Sequence, residues 1–499
     1  MNTSNFMDGM DGLSGGMSLI ALGGLLISGG ALSSFFGPAV LVLALLTAVP
    51  ALVALFTGST AAALRYLAVI AGFAVYGALT ARLPVAPNLQ RNEALVITAL
   101  VFALSACALA FPMTAYGVSF VDALFEAVSG VTTTGLSVLA SVEDKPAGFL
   151  FGRAWLQWVG GLGVLVLVLA LLMEPGVATR RLGLEGHLDI AGGAKSHARR
   201  VSLVYVIITL IAIAALLVTG QPLLDAVVHG FSSVSTGGFS NYDDSMAGIA
   251  SSPARVIITL ASIAGAISFA WYYLGYYKQA SSLIAEAQFR GLLVICALSV
   301  AVLFGFMSLA HPDRLVDNLG HALLTGISAQ TTTGFASLPP AELDAGSKLA
   351  LIGAMFVGGE LGSTAGGLKV LRLMILLSLL RLLVQKASIP ATSRVTATVD
   401  GAPLKSDEIE SVVALLVAYV GVIVLSWAAF LAHGYPALDA LFEVVSAVAT
   451  AGLSVGVASQ TLEPALKAVL CLDMLMGRVE VLAFVVLFYP RTWIGRTKG

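Results

Sequence analysis

Four short polar stretches recur along this chain, and they constrain its fold more than any other feature. We call them repeat loops 1 to 4; they occupy residues 131–137, 234–240, 330–336 and 449–454. Each contains a glycine: Gly135, Gly238, Gly334 and Gly452. A serine stands six residues before that glycine in every copy, at Ser129, Ser232, Ser328 and Ser446. Four copies of one unit, spaced by about a hundred residues, predict a pseudo-fourfold arrangement around one axis.

The composition of the chain is that of a membrane protein. It is 58% hydrophobic and 11% charged, whereas soluble domains carry roughly 25% charged residues. A net charge of −2 argues against a nucleic-acid partner. The cysteines Cys107, Cys296 and Cys471 lie in apolar surroundings, which is typical of packing residues and not of disulfides or a metal site. No covalently bound cofactor is expected.

Apolar runs long enough to cross a bilayer follow one another along the chain. We predict spans at 38–57, 61–81, 94–112, 154–173, 202–219, 255–277, 290–310, 348–368, 410–432 and 465–489. The Gly- and Ser-rich run at 17–35 is compatible with an eleventh span, a half-buried helix or an irregular element. Four shorter amphipathic stretches cannot cross a core of about 30 Å and are predicted to enter it as half-helices. They lie at 121–132, 224–235, 320–331 and 438–449.

The order of these segments predicts the domain organisation. From residue 93 onward, the series of span, half-helix, repeat loop and span occurs four times. We therefore predict an all-α integral membrane protein whose four pseudo-symmetric repeats surround one central pore. The predicted units are an extra N-terminal transmembrane unit at 1–92 and pore repeats at 93–180, 181–285, 286–390 and 391–499.

Basic residues predict the orientation in the membrane, because cytoplasmic loops are enriched in Lys and Arg. Clusters follow each repeat: Arg180 to Arg200, Lys278 with Arg290, Arg372 to Lys405, and Arg491 to Lys498. They fall on one side if every repeat crosses twice. The repeat loops then face the outside and the C-terminus faces the cytoplasm. We expect a multi-pass protein of the cytoplasmic (inner) membrane.

The repeat loops have the chemistry of a cation filter. A half-helix that ends inside the membrane points its carbonyl end, and so its negative dipole end, at a cation. Non-helical backbone at that depth is tolerated where it lines a water- or ion-filled cavity, and glycine allows close approach of four backbones. Rings of carbonyls then replace the hydration shell of an ion. The predicted filter residues are Thr132, Thr133, Gly135, Ser235, Thr236, Gly238, Thr331, Thr332, Gly334, Thr450, Ala451 and Gly452, with ion-binding carbonyls at Thr132, Ser235, Thr331 and Thr450.

Acidic residues accompany the half-helices. An Asp stands thirteen residues before the glycine in three copies, and we predict Asp122, Asp225 and Asp439 to be helix N-caps. The third copy has His321 at that position. Glu126 and Glu443 are expected to bond nearby backbone or to concentrate cations at the mouth.

A glycine-rich interruption lies in the apolar run after repeat loop 3. Each glycine costs up to about 1 kcal/mol in a helix, so the helix is predicted to break at 357–369. Close helix packing through small residues is the alternative. Arg478 lies in another apolar run, where a charge costs at least about 2.5–3.5 kcal/mol, so it should face the pore or a partner. The alternative is a salt bridge with Glu480, Asp473 or Glu360.

These motifs resemble those of the potassium-translocating membrane subunits of the Trk/Ktr/HKT superfamily, most closely those of the TrkH type. The resemblance rests on the repeat loops, on Gln-Trp-Val-Gly-Gly-Leu-Gly at 157–163, on the stretch 358–369 and on Met-Gly-Arg-Val-Glu at 476–480. It implies one pore per chain, a homodimer, and control by a cytosolic TrkA-like ring that binds NAD or ATP. It also implies that the 358–369 loop obstructs the pore and that Arg478 lies just below the filter. The gate residues expected from this resemblance are Gly358, Gly359, Gly362, Ser363, Thr364, Gly366, Gly367 and Arg478.

The resemblance also implies the ion. In this superfamily, glycine in all four loops accompanies potassium selectivity, and serine in the first loop accompanies sodium permeation. Gly135 therefore makes K+ the expected transported ion. This chain departs from the family pattern at 264–269, at Ala451 and before residue 36.

The expected activity is transport and not catalysis, because no Ser/His/Asp set and no nucleotide motif is present. A membrane voltage supplies about 2.3 kcal/mol per charge per 100 mV, enough for roughly fifty-fold accumulation. We expect a channel-like, voltage-driven pathway. A proton- or sodium-coupled symporter using Glu126, Glu443 or Asp473 is the alternative, and a non-transporting scaffold is a third possibility.

Overall fold

The computed structural model describes residues 30–80, 91–172, 193–275, 286–388 and 396–488. These residues form helices and loops, with one two-stranded hairpin. The helices are α1 Gly30–Phe56, α2 Thr60–Thr80, α3 Arg91–Met113, α4 Phe120–Val131, α5 Ala147–Leu172, α6 Gly193–Val218, α7 Leu223–Val234, α8 Ser252–Ala266, α9 Phe269–Gly275, α10 Ala287–Ala310, α11 Leu315–Gln330, α12 Ala345–Val357, α13 Val370–Ser388, α14 Ser406–Ala432, α15 Ala437–Val448, α16 Pro464–Val479 and α17 Val481–Phe488.

Six helices of the described part are long and apolar enough to cross a membrane, which makes this a multi-pass membrane protein. They are α1, α2, α3, α6, α10 and α14, and they coincide with six of the predicted spans. Large apolar side chains such as Leu45, Leu210 and Leu425 are exposed on them, as contact with lipid requires. The predicted span at 154–173 is helical in α5 up to Leu172, the last described residue there.

Three predicted spans are not continuous helices. The span at 255–277 is interrupted between α8 and α9, and the span at 465–489 is interrupted at Glu480, whose φ is 66°. The span at 348–368 ends at Val357, and helix resumes only at Val370, which confirms the predicted break. Gly358, Gly362 and Gly367 have φ of 73°, 81° and 76° there, a backbone that helices cannot contain.

Short helices precede the repeat loops as predicted: α4, α7 and α15 have 12 residues and α11 has 16. The prediction that Asp residues cap them is wrong. Pro222 and Pro436 occupy the N-cap positions, which places Asp225 and Asp439 at the third helical residue. Asp122 is also third in α4, and its backbone N–H donates to Ser119 Oγ at 3.2 Å. A carboxylate in the first turn still interacts favourably with the helix dipole.

The chain divides into two compact units. One contains the residues up to Val128, 146–152 and those from Val479 onward; the other contains 129–145 and 153–478. In the first, Phe36, Val40 and Phe73 form a core with Val96, against which Val486 of α17 packs. The second unit contains all four repeat loops.

A small hairpin lies between α13 and α14. Strand β1 (Thr398–Val399) pairs antiparallel with β2 (Ala402–Pro403). Asp400 and Gly401 have φ of 54° and 75°, as a tight hairpin turn requires. Val399 packs on Leu371 and Ile375 of α13, so the hairpin is anchored to that helix.

Several predictions lie outside the described residues. These are the nature of 17–29 and the basic residues Arg180, Arg181, Lys278, Arg491 and Lys498. The topology that depends on them stays a prediction.

Candidate functional site

The four repeat loops share one backbone conformation. The residue two positions before each glycine has a positive φ: 52° at Thr133, 53° at Thr236, 51° at Thr332 and 49° at Thr450. A β-branched residue rarely adopts this conformation, which costs of order 1–3 kcal/mol. The glycines follow with φ of 93°, 76°, 91° and 83°. The same strain at four matching positions indicates that all four loops require this backbone conformation.

This repeat corrects the register of the predicted ion-binding carbonyls. Thr450 matches Thr133, whereas Thr132, Ser235 and Thr331 stand one position earlier. The residue of loop 4 in register with those three is Ala449. The motif misled because loop 4 has alanine on both sides of its single threonine.

Each loop is tied to the end of its own short helix. The residue before the glycine donates its N–H to the carbonyl of the recurring serine. The distances are 2.9, 2.7, 2.9 and 2.8 Å for Thr134–Ser129, Gly237–Ser232, Thr333–Ser328 and Ala451–Ser446. In loop 1 the Ser129 hydroxyl also accepts from Gly135 N at 3.0 Å. These bonds satisfy helix-end carbonyls that would otherwise lack partners.

The glycines interlock the four loops in a closed ring. A Cβ atom on Gly135 would lie 2.1 Å from the carbonyl oxygen of Gly237 in loop 2. The same approach recurs at 2.0, 2.3 and 2.0 Å for Gly238–Thr333, Gly334–Ala451 and Gly452–Thr134. The contacts run from loop 1 to 2, 3, 4 and back to 1. No side chain fits at any of the four glycines.

Hydroxyl pairs brace loops 1 and 3 from within. Thr132 Oγ1 lies 2.8 Å from Thr134 Oγ1, and Thr331 Oγ1 lies 2.8 Å from Thr333 Oγ1. The matching positions of loop 2 are Ser235 and Gly237, and those of loop 4 are alanines, so neither can form this pair. The predicted filter residues therefore come together, but not with fourfold chemical identity.

A second set of glycines brings the following helices against the loops. Gly160 of α5, Gly265 of α8 and Gly477 of α16 lie so close to the last residue of a short helix that a Cβ would be 1.9, 2.4 and 2.0 Å from its carbonyl oxygen. In the third repeat, Gln330 Nε2 donates to the Gly358 carbonyl at 2.7 Å instead. The sequence analysis does not predict these contacts, although a glycine follows each of these three loops at a similar distance along the chain.

The 358–369 segment lies against three of the four loops. Gly366 N donates to Thr332 Oγ1 at 2.6 Å, and Gly367 N donates to the Ala449 carbonyl at 3.1 Å. Thr364 Oγ1 donates to the carbonyl of Val234, the last residue of α7, at 3.0 Å. Ser363 and Thr364 are fully buried. The predicted gate glycines and these hydroxyls are thus brought together with the predicted filter.

The segment is also paired with the break between α8 and α9. Glu360 N donates to the Ala266 carbonyl and Phe269 N donates to the Gly362 carbonyl, both at 3.0 Å. The buried Glu360 carboxylate accepts from Ser268 N at 2.9 Å. The two irregular segments therefore satisfy each other's backbone groups, as non-helical chain inside a membrane must.

Arg478 reaches the same segment from α16. Its Nη1 donates to the Thr364 carbonyl at 2.5 Å, and its Nη2 lies 3.5 Å from the Gly160 carbonyl. Of the carboxylates considered as its partners, Glu360 bonds Ser268, and Asp473 accepts from Ser426 at 2.7 Å. Arg478 is 5% exposed. Its guanidinium thus contacts carbonyls of the 358–369 segment and of α5.

A buried carboxylate holds the chain that follows Gly452 in the fourth repeat. The Glu443 carboxylate accepts from Ser454 Oγ at 2.7 Å, Ala458 N at 3.0 Å and Val455 N at 3.2 Å. Glu443 and Glu126 are both fully buried. Of the two roles expected for Glu443, its contacts agree with bonding to nearby backbone.

In the second repeat, Asp225 accepts from Asn241 Nδ2 at 2.7 Å and from the Tyr242 hydroxyl at 2.9 Å. Burial, together with this bond to Asp225, raises the pKa of Tyr242 to about 12. Tyr242 therefore stays protonated and keeps donating to Asp225 at neutral pH.

The fold and these interlocked loops define a multi-pass helical membrane protein with a cation-transport architecture. The family model described as "TrkH: Cation transport protein" matches residues 90–493, and the chain belongs to this family.

Its relatives are named as transport proteins and not as enzymes. The Trk system potassium uptake protein TrkH of Salmonella typhimurium is 30% identical over 394 residues, which cover 74% of this chain and 79% of the relative. TrkI of Halomonas elongata is 30% identical over 472 residues, 91% of this chain and 94% of the relative. The crystal structure of the potassium transporter TrkH from Vibrio parahaemolyticus superposes with a TM-score of 0.82 at 26% identity, over 92% of this chain and 99% of that one.

Proposed function

We propose that this chain takes up potassium ions across the cytoplasmic membrane through a pore formed by its four repeat loops. The observation that carries this proposal is the closed ring of glycine contacts, in which four strained loops meet through residues that have no side chain. Rings of carbonyls at such a centre replace the hydration shell of a cation. The potassium uptake named for the relatives supports the choice of ion.

The 358–369 segment is the proposed gate. It joins α12 to α13 across the C-terminal ends of the short helices and bonds loops 3 and 4 directly. Opening requires these bonds to break, together with the Thr364–Val234 bond and the Arg478–Thr364 bond. Arg478 then acts as a latch whose positive charge also repels cations while the gate is closed.

Transport is proposed to be voltage-driven. About 2.3 kcal/mol per charge per 100 mV suffices for accumulation without a coupled ion. Regulation by a cytosolic TrkA-like NAD- or ATP-binding ring, assembly as a homodimer and a cytoplasmic C-terminus are proposals that rest on family membership.

Uptake of radioactive rubidium into proteoliposomes tests the function. With an imposed voltage, inside negative, we expect uptake that excess K+ blocks and excess Na+ barely affects. Uptake that follows an imposed proton or sodium gradient at zero voltage would instead support the symporter. Equal block by K+ and Na+ would contradict a potassium filter.

A further inference from the structure

Repeat loops 2 and 4 lack the threonine pair that braces loops 1 and 3, and loop 2 differs from the other three in having a second glycine directly before its filter glycine. It has Gly237 where loops 1 and 3 have Thr134 and Thr333, so the threonine pair of those loops is missing. Its backbone nevertheless has the same strained conformation, with φ of 53° at Thr236 and 76° at Gly238. Besides the bonds of Gly237 N and Gly238 N to the Ser232 carbonyl, loop 2 is therefore open to support from a neighbouring helix.

The side chain of Gln157 gives loop 2 such support from outside. Gln157 lies on α5 and is fully buried. Its Nε2 donates to the Gly237 carbonyl at 2.5 Å, and its Oε1 accepts from Phe239 N at 3.1 Å. The amide thus brackets Gly238 on both sides, as a neighbouring strand would. A buried amide with both ends satisfied is rigid, because losing either bond leaves an unpaired polar group.

The identity of residue 237 follows from the same contact. A Cβ atom on Gly237 would lie 2.4 Å from Gln157 Cδ and 2.6 Å from its Oε1. The backbone at Gly237 itself does not require glycine, since its φ is not positive. The other loops carry Thr134, Thr333 and Ala451 at this position. Glycine is needed at 237 because the Gln157 amide fills the space of a side chain.

We propose that Gln157 is a positioning residue for ion selection, which replaces in loop 2 the threonine pair of loops 1 and 3. This inference rests on the proposed function. The carbonyl that Gln157 fixes, that of Gly237, is also the one packed against Gly135 of loop 1. Gln157 therefore sets the junction between loops 1 and 2 and, through it, the width of the ring.

The first test replaces Gln157 by methionine, the residue found three positions before Gly358 and Gly477 in the third and fourth repeats, as Met355 and Met474. Rubidium uptake is measured against K+ and against Na+ as competitors. We expect Gln157→Met to lower the K+/Na+ discrimination by about tenfold or more, since the lost bonds of a buried amide exceed that factor. Discrimination equal to that of the unaltered chain would overturn the proposal. If the unaltered chain itself did not discriminate K+ from Na+, the proposed function would be contradicted instead.

Gln288→Met is the matched control. Gln288 is 4% exposed, and its Oε1 has no hydrogen-bond partner among the described residues. The same change of side chain there is expected to leave discrimination unaltered. An equal loss in both variants would mean a general effect of removing a buried amide and would overturn the specific role of Gln157.

Two further variants separate positioning from folding. Gly237→Ala keeps Gln157 but places a methyl group where the Gln157 amide lies. This variant is also expected to lower K+/Na+ discrimination. The triple variant Gln157→Met, Ser235→Thr, Gly237→Thr gives loop 2 the threonine pair of loops 1 and 3. We expect it to discriminate better than Gln157→Met alone. A triple variant no better than the single one would contradict the equivalence of the amide and the hydroxyl pair.

Discussion

The contact at Gly135 predicts the effect of the most informative single substitution, Gly135→Ser. The backbone there has φ of 93°, where a side chain costs of order 1–3 kcal/mol. The new Cβ would also lie 2.1 Å from the Gly237 carbonyl oxygen, so that oxygen must retreat by at least about 1.3 Å to reach an ordinary contact of 3.4 Å. Because Gly237 belongs to the next loop, the displacement opens the ring and not merely loop 1.

The expected result is a loss of ion discrimination together with a loss of stability. A strain of 1–3 kcal/mol corresponds to about five- to 150-fold in an equilibrium constant, and we expect the K+/Na+ ratio to fall by about tenfold. The assay is rubidium uptake into proteoliposomes with either cation as competitor. Gly305→Ser is the control, because no atom lies within 4 Å of a Cβ at that helical position. An unchanged ratio in Gly135→Ser would refute the close approach on which the reasoning depends.

Two further outcomes follow from particular contacts. Arg478→Ala removes the bond to the Thr364 carbonyl, and we expect several-fold higher basal rubidium uptake; unchanged or lower uptake in a folded variant would count against the latch. Asp344→Ala removes the N-cap side chain that accepts from Ser347 N at 3.1 Å. We expect the free energy of unfolding to fall by about 0.5–2 kcal/mol, seen as a lower melting temperature, with ion discrimination intact. A change of discrimination in Asp344→Ala would show that the cap is coupled to the ring.

The sequence allowed much of the architecture to be predicted because hydrophobic length and repeat spacing are local signals. Three of the four short helices begin and end within one residue of their predicted bounds, whereas α11 begins at Leu315 and not at 320. The break after Val357 follows from five glycines in an apolar run. Membership of a cation-transport family was likewise evident from the loop motifs and is confirmed.

Other features depend on contacts between distant segments and could not be predicted. Gln157 bonds residues 80 and 82 positions away, and no periodicity reveals such a pair. The register of loop 4 was misread because Ala449 and Ala451 lack the hydroxyls that mark the other loops. The N-cap prediction failed because Pro222 and Pro436 set the start of the helix, which leaves the Asp inside the first turn.

The central claim is that the four repeat loops form a potassium-selective ring. Equilibrium binding tests it most directly, because in the proposed arrangement the loops face the outside and an ion reaches them while the 358–369 segment is closed. Isothermal titration calorimetry of the purified chain should show K+ binding at least about tenfold tighter than Na+ binding, and Gly135→Ser should abolish the difference. Equal affinities for the two cations in the unaltered chain would contradict the account.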